Sequence, residues 1–337
     1  MAVYTGVDDS TGFFTANLYS GNATNGTTIT TGHTNDLIWT KGRAGTYGAR
    51  GLRIIDSVRG ATKVLYGDQN LAQGTNNSSS GVTGFASTSY TIGGDADFNG
   101  SGTTYVSWTW KESVTAGFDI LTYEGTGSAR TVAHNLGVKP DWIIVKNIDS
   151  SDPAFNWRVY HSALGATAAL KLNDATAVST DAGYWNDTEP TSSVFSVKDS
   201  GETNNADQTY IAYLWAGKQG FSKFGKFIGN GNNDGTFVNL GFKPSYLIIR
   251  ESSNNDDWQI WDNKREDYNG NPNETTIDPS IAAADSDSTG RAVDFLSNGF
   301  KLRTSNATIN TSGETFLYMA FAENPFVSSG GVPGLAR

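Results

Sequence analysis

The chain has 337 residues, a formal net charge of −10, no cysteine, and 37% hydrophobic against 12% aromatic residues. This composition excludes disulfides, thiol nucleophiles and thiolate metal sites, and it argues against a nucleic-acid scaffold, which needs an excess of Lys and Arg to neutralise phosphates. No apolar run reaches the ~18–20 residues of a membrane-spanning helix, so no membrane insertion is expected.

Thirty-nine glycines against eight prolines, with many aromatics, suit short strands joined by tight turns rather than long helices. The opening stretch MAVYTGVDDSTGFF lacks a basic and then an apolar region, so no secretory signal is expected. The absence of cysteine favours synthesis in a reducing cytoplasm.

In chain order, FFTANLYSGN opens at Phe13, DLIWTK runs from Asp36 to Lys41, DSVRGATKVL begins at Asp56 and TYVSWTW at Thr104. The same phrases then return as GFDILTYEGTG from Gly117, NLGVKPDWIIVK from Asn135, HSALGATAAL from His161 and TYIAYLW from Thr209. A third set comprises GFSKFGKFIGNG from Gly220, NLGFKPSYLIIR from Asn239 and TFLYMAF from Thr315. Steps of 103 to 106 residues separate the landmarks. Such a length is domain-sized, far beyond a solenoid repeat. The expected fold is all-β, in three tandem antiparallel β-sandwich modules of about 100 residues: 1–114, 115–218 and 219–337.

Within TYIAYLW, Tyr210, Ala212 and Leu214 share one face, and Ile211, Tyr213 and Trp215 the other. Both faces are apolar, which predicts a strand covered on both sides. Val106, Trp108 and Trp110 correspond to Leu317, Met319 and Phe321, so rings recur at one structural place, as core packing requires. NLGVKPDWIIVK predicts a glycine turn, then Pro140, then a strand from Asp141. SIAAADSDSTGRAVDFL leaves room for a short helix.

Candidate chemistry is sparse. His33, His134 and His161 recur in no common pattern, and no G-x-S-x-G elbow accompanies them. DADFNG, with Asp95, Asp97 and Asn99, fits the first half of a calcium loop, but Val106 stands where the bidentate Glu belongs. The competing reading is an Asx turn. NGNNDG, from Asn230, is a poorer version ending at Gly241. Glu266, Asp267 and Glu274, near Tyr268, form the densest acidic group, in a stretch where the third copy departs from the others. Solvated loop acids are the simpler reading, and a glycosidase carboxylate pair the sharper one. In the same stretch, Trp258, Trp261, Asp267 and Tyr268 make a candidate ligand-binding set of rings and acid. Against that, Trp258 aligns with Trp157, which places Trp258 and Trp261 in a core strand.

HNLGVKPDWIIVK, GFSKFGKFIGNGNNDGTFVNLGFKPSYLIIR and FLSNGFKLRTSNATINTSGETFLYMAFAENPF resemble a repeat module of tailed bacteriophages, especially marine ones, found in tail or structural proteins. The resemblance spans nearly the whole chain and is most specific in the second and third copies. In the first, TTGHTNDLIWTK lacks the Leu-Gly and the Pro. It implies lectin-like, jelly-roll-like sandwiches and a non-enzymatic virion component made in the bacterial cytoplasm, as a tail fibre or spike contacting the host surface. Expected partners are other virion proteins, a homo-oligomer such as a trimer, and a host-surface glycan. The competing placements are capsid decoration or a tail adaptor; a polysaccharide depolymerase or a cellular lectin would be a different class of protein. The resemblance brings no catalytic residue and no cofactor beyond the calcium reading above.

Overall fold

A computed structural model describes residues 4–77, 79–150, 155–265 and 271–333. The chain is nearly all β, and its helical pieces are single turns such as Ala182–Trp185 and Ala307–Asn310. In SIAAADSDSTGRAVDFL the helical content is one 3-10 turn, Thr289–Arg291, before the strand Val293–Leu296.

Three large antiparallel sheets repeat one strand order. An opening strand (Phe14–Ser20, Phe118–Glu124, Ser222–Ile228) pairs with a closing strand (Thr103–Trp110, Thr209–Trp215, Thr315–Pro325). The closing strand pairs on its other side with a core strand (Leu37–Gly45, Trp142–Asn147, Phe242–Glu251). A return strand (Arg53–Asp56, Arg158–His161, Gln259–Asp262) follows and pairs antiparallel with the core strand. Registers correspond across the three sheets: Leu37, Trp142 and Tyr246 face Trp110, Trp215 and Phe321 respectively. In the third sheet Pro244 lies inside the core strand, where the ladder shifts register on either side of it. Proline has no N–H to give, so the irregularity falls there.

A small sheet covers one face of each large sheet. Its strands are Thr27–Thr30, Ser89–Ile92 and Val82–Phe85 in the first case, Arg130–Ala133 and Val194–Val197 in the second, and Phe237–Asn239, Gly299–Leu302 and Val293–Leu296 in the third. The repeated Asn-Leu-Gly leads from the small sheet into the core strand. Gly137 and Gly241 take φ of +70° and +80° there, which L side chains rarely adopt, and the Gly241 N–H is caught by Asn239 Oδ1 (2.9 Å).

Two kinds of core result, and they explain why both strand faces are apolar. Tyr210, Ala212 and Leu214 turn outward to Phe195 and Val197 of their own small sheet. Ile211, Tyr213 and Trp215 turn inward, into one central core shared by all three large sheets. Val106, Trp108 and Trp110 do the same from the first sheet, and Leu317, Met319 and Phe321 from the third. The Trp110 ring meets Trp39 of its own sheet (5.5 Å), Trp215 of the second (6.2 Å) and Phe321 and Tyr246 of the third (5.8 and 5.9 Å). Aromatic pairs of this kind add about 0.5–1.5 kcal/mol each beyond the area they bury. The three sandwiches thus stand back to back around shared rings, each touching the other two.

Candidate functional site

Polar groups recur where the sandwiches meet. The last residue of each core-strand phrase is a cation, Lys41, Lys146 or Arg250, and all three are fully buried. Lys146 Nζ donates to Asn70 O of the first sandwich (3.1 Å) and to Phe155 O (2.8 Å). Arg250 donates to Asp174 O (2.9 Å) and Thr176 O (2.6 Å) of the second. Lys41 donates to Ile281 O of the third and to Arg50 O (3.2 Å). Each cation therefore reaches back to the preceding sandwich, and the first reaches round to the last. Burial lowers Lys41 and Lys146 to about 8 and Arg250 to about 10, the direction expected when a charged group leaves water.

A second ring sits at the ends of the return strands, where Asp56, His161 and Asp262 occupy one register position. Asp56 Oδ2 accepts from the Tyr213 hydroxyl of the second sandwich (2.7 Å). Asp262 Oδ2 accepts from Trp108 Nε1 of the first (3.0 Å). His161 Nδ1 accepts from the Ala163 N–H (2.9 Å), which leaves Nε2–H to donate to Tyr318 O of the third (3.4 Å). Burial pulls His161 down to about 4, so the ring is neutral near pH 7. Asp56 and Asp262 each hold an arginine three residues on, Arg59 and Arg265, at 2.6 Å. Leu164 takes that place beside His161 and packs on the central core.

The other two histidines also serve the fold. His33 Nδ1 donates to Thr34 O (2.7 Å), and its Nε2 lies between the Thr15 and Thr109 hydroxyls. His134 bridges Thr191 O and the Leu136 N–H, both at 3.3 Å. All three imidazoles are buried, so none is placed to take a proton from a solvent-borne substrate.

The structure corrects the ligand reading of two tryptophans. Trp258 lies in the central core, its Nε1 donating to Lys171 O of the second sandwich (2.8 Å). Its counterpart Trp157 donates to Tyr66 O and Gln69 O of the first (3.0 and 3.1 Å). Trp261 faces the other way, into the outer core of the third sandwich, and donates to Arg291 O (2.9 Å). Both rings are 0% exposed and offer no face to a sugar. Asp267 and Tyr268, with Glu266, lie outside the described residues.

The three residues of the calcium reading are held by protein groups. Asp95 accepts from the Asp97 N–H (3.0 Å), an Asx turn, and from the Gly81 N–H (2.6 Å). Asp97 pairs with Arg53 at 3.2 Å. Asn99 is fully buried; it accepts from the Asn22 N–H (3.0 Å) and donates to Thr24 O (2.9 Å). Among the described residues no cluster of three or more His, Asp or Glu is arranged to hold a metal ion.

Sequence reasoning missed what Asn99 does. Asn204 and Asn310 stand at the same repeat step and are equally buried. Asn204 accepts from Thr126 N (3.0 Å) and donates to Ser128 O (2.7 Å); Asn310 accepts from Asn230 N (2.8 Å) and donates to Asn232 O (3.0 Å). Each pins the loop that leaves the opening strand. In that loop a Cβ on Gly21, Gly125 or Gly229 would lie 2.0–2.2 Å from a carbonyl oxygen. The spacing of the three asparagines was the available signal.

Residues 9–325 match a family described as a domain of unknown function, DUF7483, and the chain belongs to that family. No curated protein matches the chain.

Proposed function

We propose that this member of the DUF7483 family is a non-enzymatic structural protein of a tailed-bacteriophage virion, carried on the tail as part of a fibre or spike that contacts the host surface. The resemblance of the repeated phrases to phage tail modules supports the virion assignment, and it runs through nearly the whole chain. The observation that carries the structural role is the use made of the repeated polar side chains. Lys41, Lys146 and Arg250, with Asp56, His161 and Asp262, are buried and bonded across the joints between sandwiches. Groups spent in this way make a rigid body, which is what a part exposed to mechanical load requires.

One polypeptide also closes a triangle that a fibre would otherwise build from three chains. Homo-oligomers of this protein, trimers included, therefore form through outward loops and not through the central rings. Avidity towards a host glycan then comes from the number of copies displayed.

Electron microscopy of particles labelled with an antibody to the protein tests this reading. Label on the tail tip is expected. Label on the shell favours capsid decoration, and label at the head–tail joint favours an adaptor; either overturns the host-contact role. Release of reducing sugar from host envelope by the purified protein overturns the non-enzymatic role.

A further inference from the structure

Consecutive sandwiches are joined by short hairpins, and the two hairpins differ at one register position. In the first, the Ser113 N–H donates to Phe118 O and the Phe118 N–H to Ser113 O, both at 3.0 Å. The closing strand of the first sandwich thus turns directly into the opening strand of the second. In the second hairpin Lys218 and Ser222 pair in the same way, at 3.1 and 2.9 Å. One step back from each turn, Glu112 therefore stands opposite Asp119, and Gly217 opposite Lys223. Antiparallel partners of this non-hydrogen-bonded kind hold their Cβ atoms about 4.5–5.5 Å apart, and like charges there repel. The first hairpin sets two carboxyls face to face where the second sets a glycine and a lysine.

Both carboxyls are fixed in place. Asp119 is 3% exposed, and its Oδ2 accepts from the Asn135 N–H (2.6 Å). Half-buried Glu112 accepts from the Ile120 N–H through Oε1 (3.4 Å), and its own N–H donates to Asp36 Oδ2 (2.8 Å). The hydrogen bond between the Glu112 and Asp119 side chains needs a proton on one of them, because two carboxylates only accept. Burial first, then that bond and the charges of Asp119 and Asp36, push Glu112 up to about 7. His134 beside Asp119 and His33 beside Asp36 are both pulled down by burial, so neither brings a positive charge near pH 7. Of the cations in the adjoining turns, Lys111 Nζ lies over the Phe13 ring (5.5 Å) and the Lys218 side chain runs along Gly117.

We propose that the first hairpin is a proton-operated latch between the first two sandwiches: one proton shared by Glu112 and Asp119 holds it shut, and loss of that proton opens it. When the proton leaves for solvent, two carboxylates face each other across the hairpin. Glu112, the less buried of the two, turns to water and releases the Ile120 N–H, and the Ser113–Phe118 pairing loosens with it. The second hairpin has no such pair and stays closed. Ordinary glutamate titrates near 4.5, so between 4.5 and 7 the unfolded chain gives up a proton that the folded chain keeps. The latch is at full strength below 4.5 and is lost as pH rises through 7. His161 acts with the opposite sign, since its burial disfavours the proton.

Hydrogen exchange followed by NMR on the full chain tests it, with each rate corrected for the intrinsic effect of pH. Between about pH 5.5 and about pH 8.5, the amides of Ser113, Phe118 and Ile120 should lose protection about tenfold or more relative to those of Lys218 and Ser222. Glu112→Gln keeps an acceptor for Ile120 and cannot titrate, so it should abolish that loss. In carbon-13 spectra of glutamate-labelled protein, the carboxyl resonance that Glu112→Gln removes should titrate near pH 7. Asp119→Asn should move this midpoint down towards the ordinary glutamate range and should also abolish the loss of protection. Melting curves establish that each variant is folded; if Glu112→Gln is not, Asp119→Asn decides. Equal protection at the two pH values, an undiminished loss in a folded variant, or a Glu112 midpoint near 4.5 overturns the latch.

Discussion

Asp262 with Arg265, in the third sandwich, and His161 with Leu164, in the second, occupy the same place in their sheets and use opposite chemistry. The first is a fully buried ion pair that accepts a hydrogen bond from Trp108. The second is a neutral imidazole that donates one to Tyr318 O, with an aliphatic side chain where the guanidinium would lie. Both join one sandwich to the next. The common requirement is thus a polar atom facing the neighbour's closing strand and enough volume three residues on, not a charge. Buried ion pairs fit that picture, since exchanging one for apolar groups of similar volume is often neutral, whereas removing one partner is not.

The largest expected effect breaks the pair on one side. Arg265→Leu leaves the Asp262 carboxylate buried and short of its cation, and should cost about 3–5 kcal/mol in denaturant unfolding. Adding Asp262→His writes the second sandwich's solution into the third and should recover most of that loss. If the double variant is no more stable than Arg265→Leu, the two regions are not interchangeable and the comparison fails.

His161 sharpens the comparison through pH. Its folded value of about 4 lies below the ordinary 6.5. As pH falls from 6.5 towards 4, the unfolded chain takes up a proton that the folded chain refuses, so this group's share of stability falls with pH. The loss reaches at most about 3 kcal/mol near pH 4. His161→Asn keeps a donor and an acceptor but does not titrate, so its stability profile should be flatter between pH 6.5 and 4; an unchanged slope would assign the acid sensitivity elsewhere.

Lys146→Met strands two carbonyls but also relieves a buried charge, and a net loss of about 1–2 kcal/mol is expected. Because Lys146 is lowered to about 8, stability from this residue rises between pH 8 and 10.5, where the unfolded lysine still holds its proton. The variant should lack that rise in alkaline denaturation curves. Lys139→Ala removes an exposed pair with Glu189 (2.6 Å) and should change stability by less than about 1 kcal/mol. A larger change would mean that surface pairs carry weight here comparable to the joints.

Much of the fold was legible because one physical rule repeats: strands with two apolar faces must be covered twice. Tyr210 and Trp215 announced both faces of the closing strand, though not that one face would meet two other sandwiches. That meeting depends on contacts such as Lys41 with Ile281 and Trp108 with Asp262, between residues far apart in sequence, and a local pattern does not encode them. The aromatic candidates carried two readings for a related reason. Trp258 and Trp261 sit among Asn and Asp, which suggests a loop, while the alignment of Trp258 with Trp157 points to a core strand; Trp258 adjoins and Trp261 belongs to the return strand Gln259–Asp262, and they are buried on opposite faces. Asn99 resembled a metal ligand because a buried side chain that binds backbone and a calcium-loop asparagine are the same residue type.

The central claim is that shared rings and crossed cations make the three sandwiches one cooperative body. Scanning calorimetry of the whole chain tests it most directly. The account predicts a single transition whose calorimetric and van't Hoff enthalpies agree; two or three resolved transitions, each with the enthalpy of a separate sandwich, would contradict it.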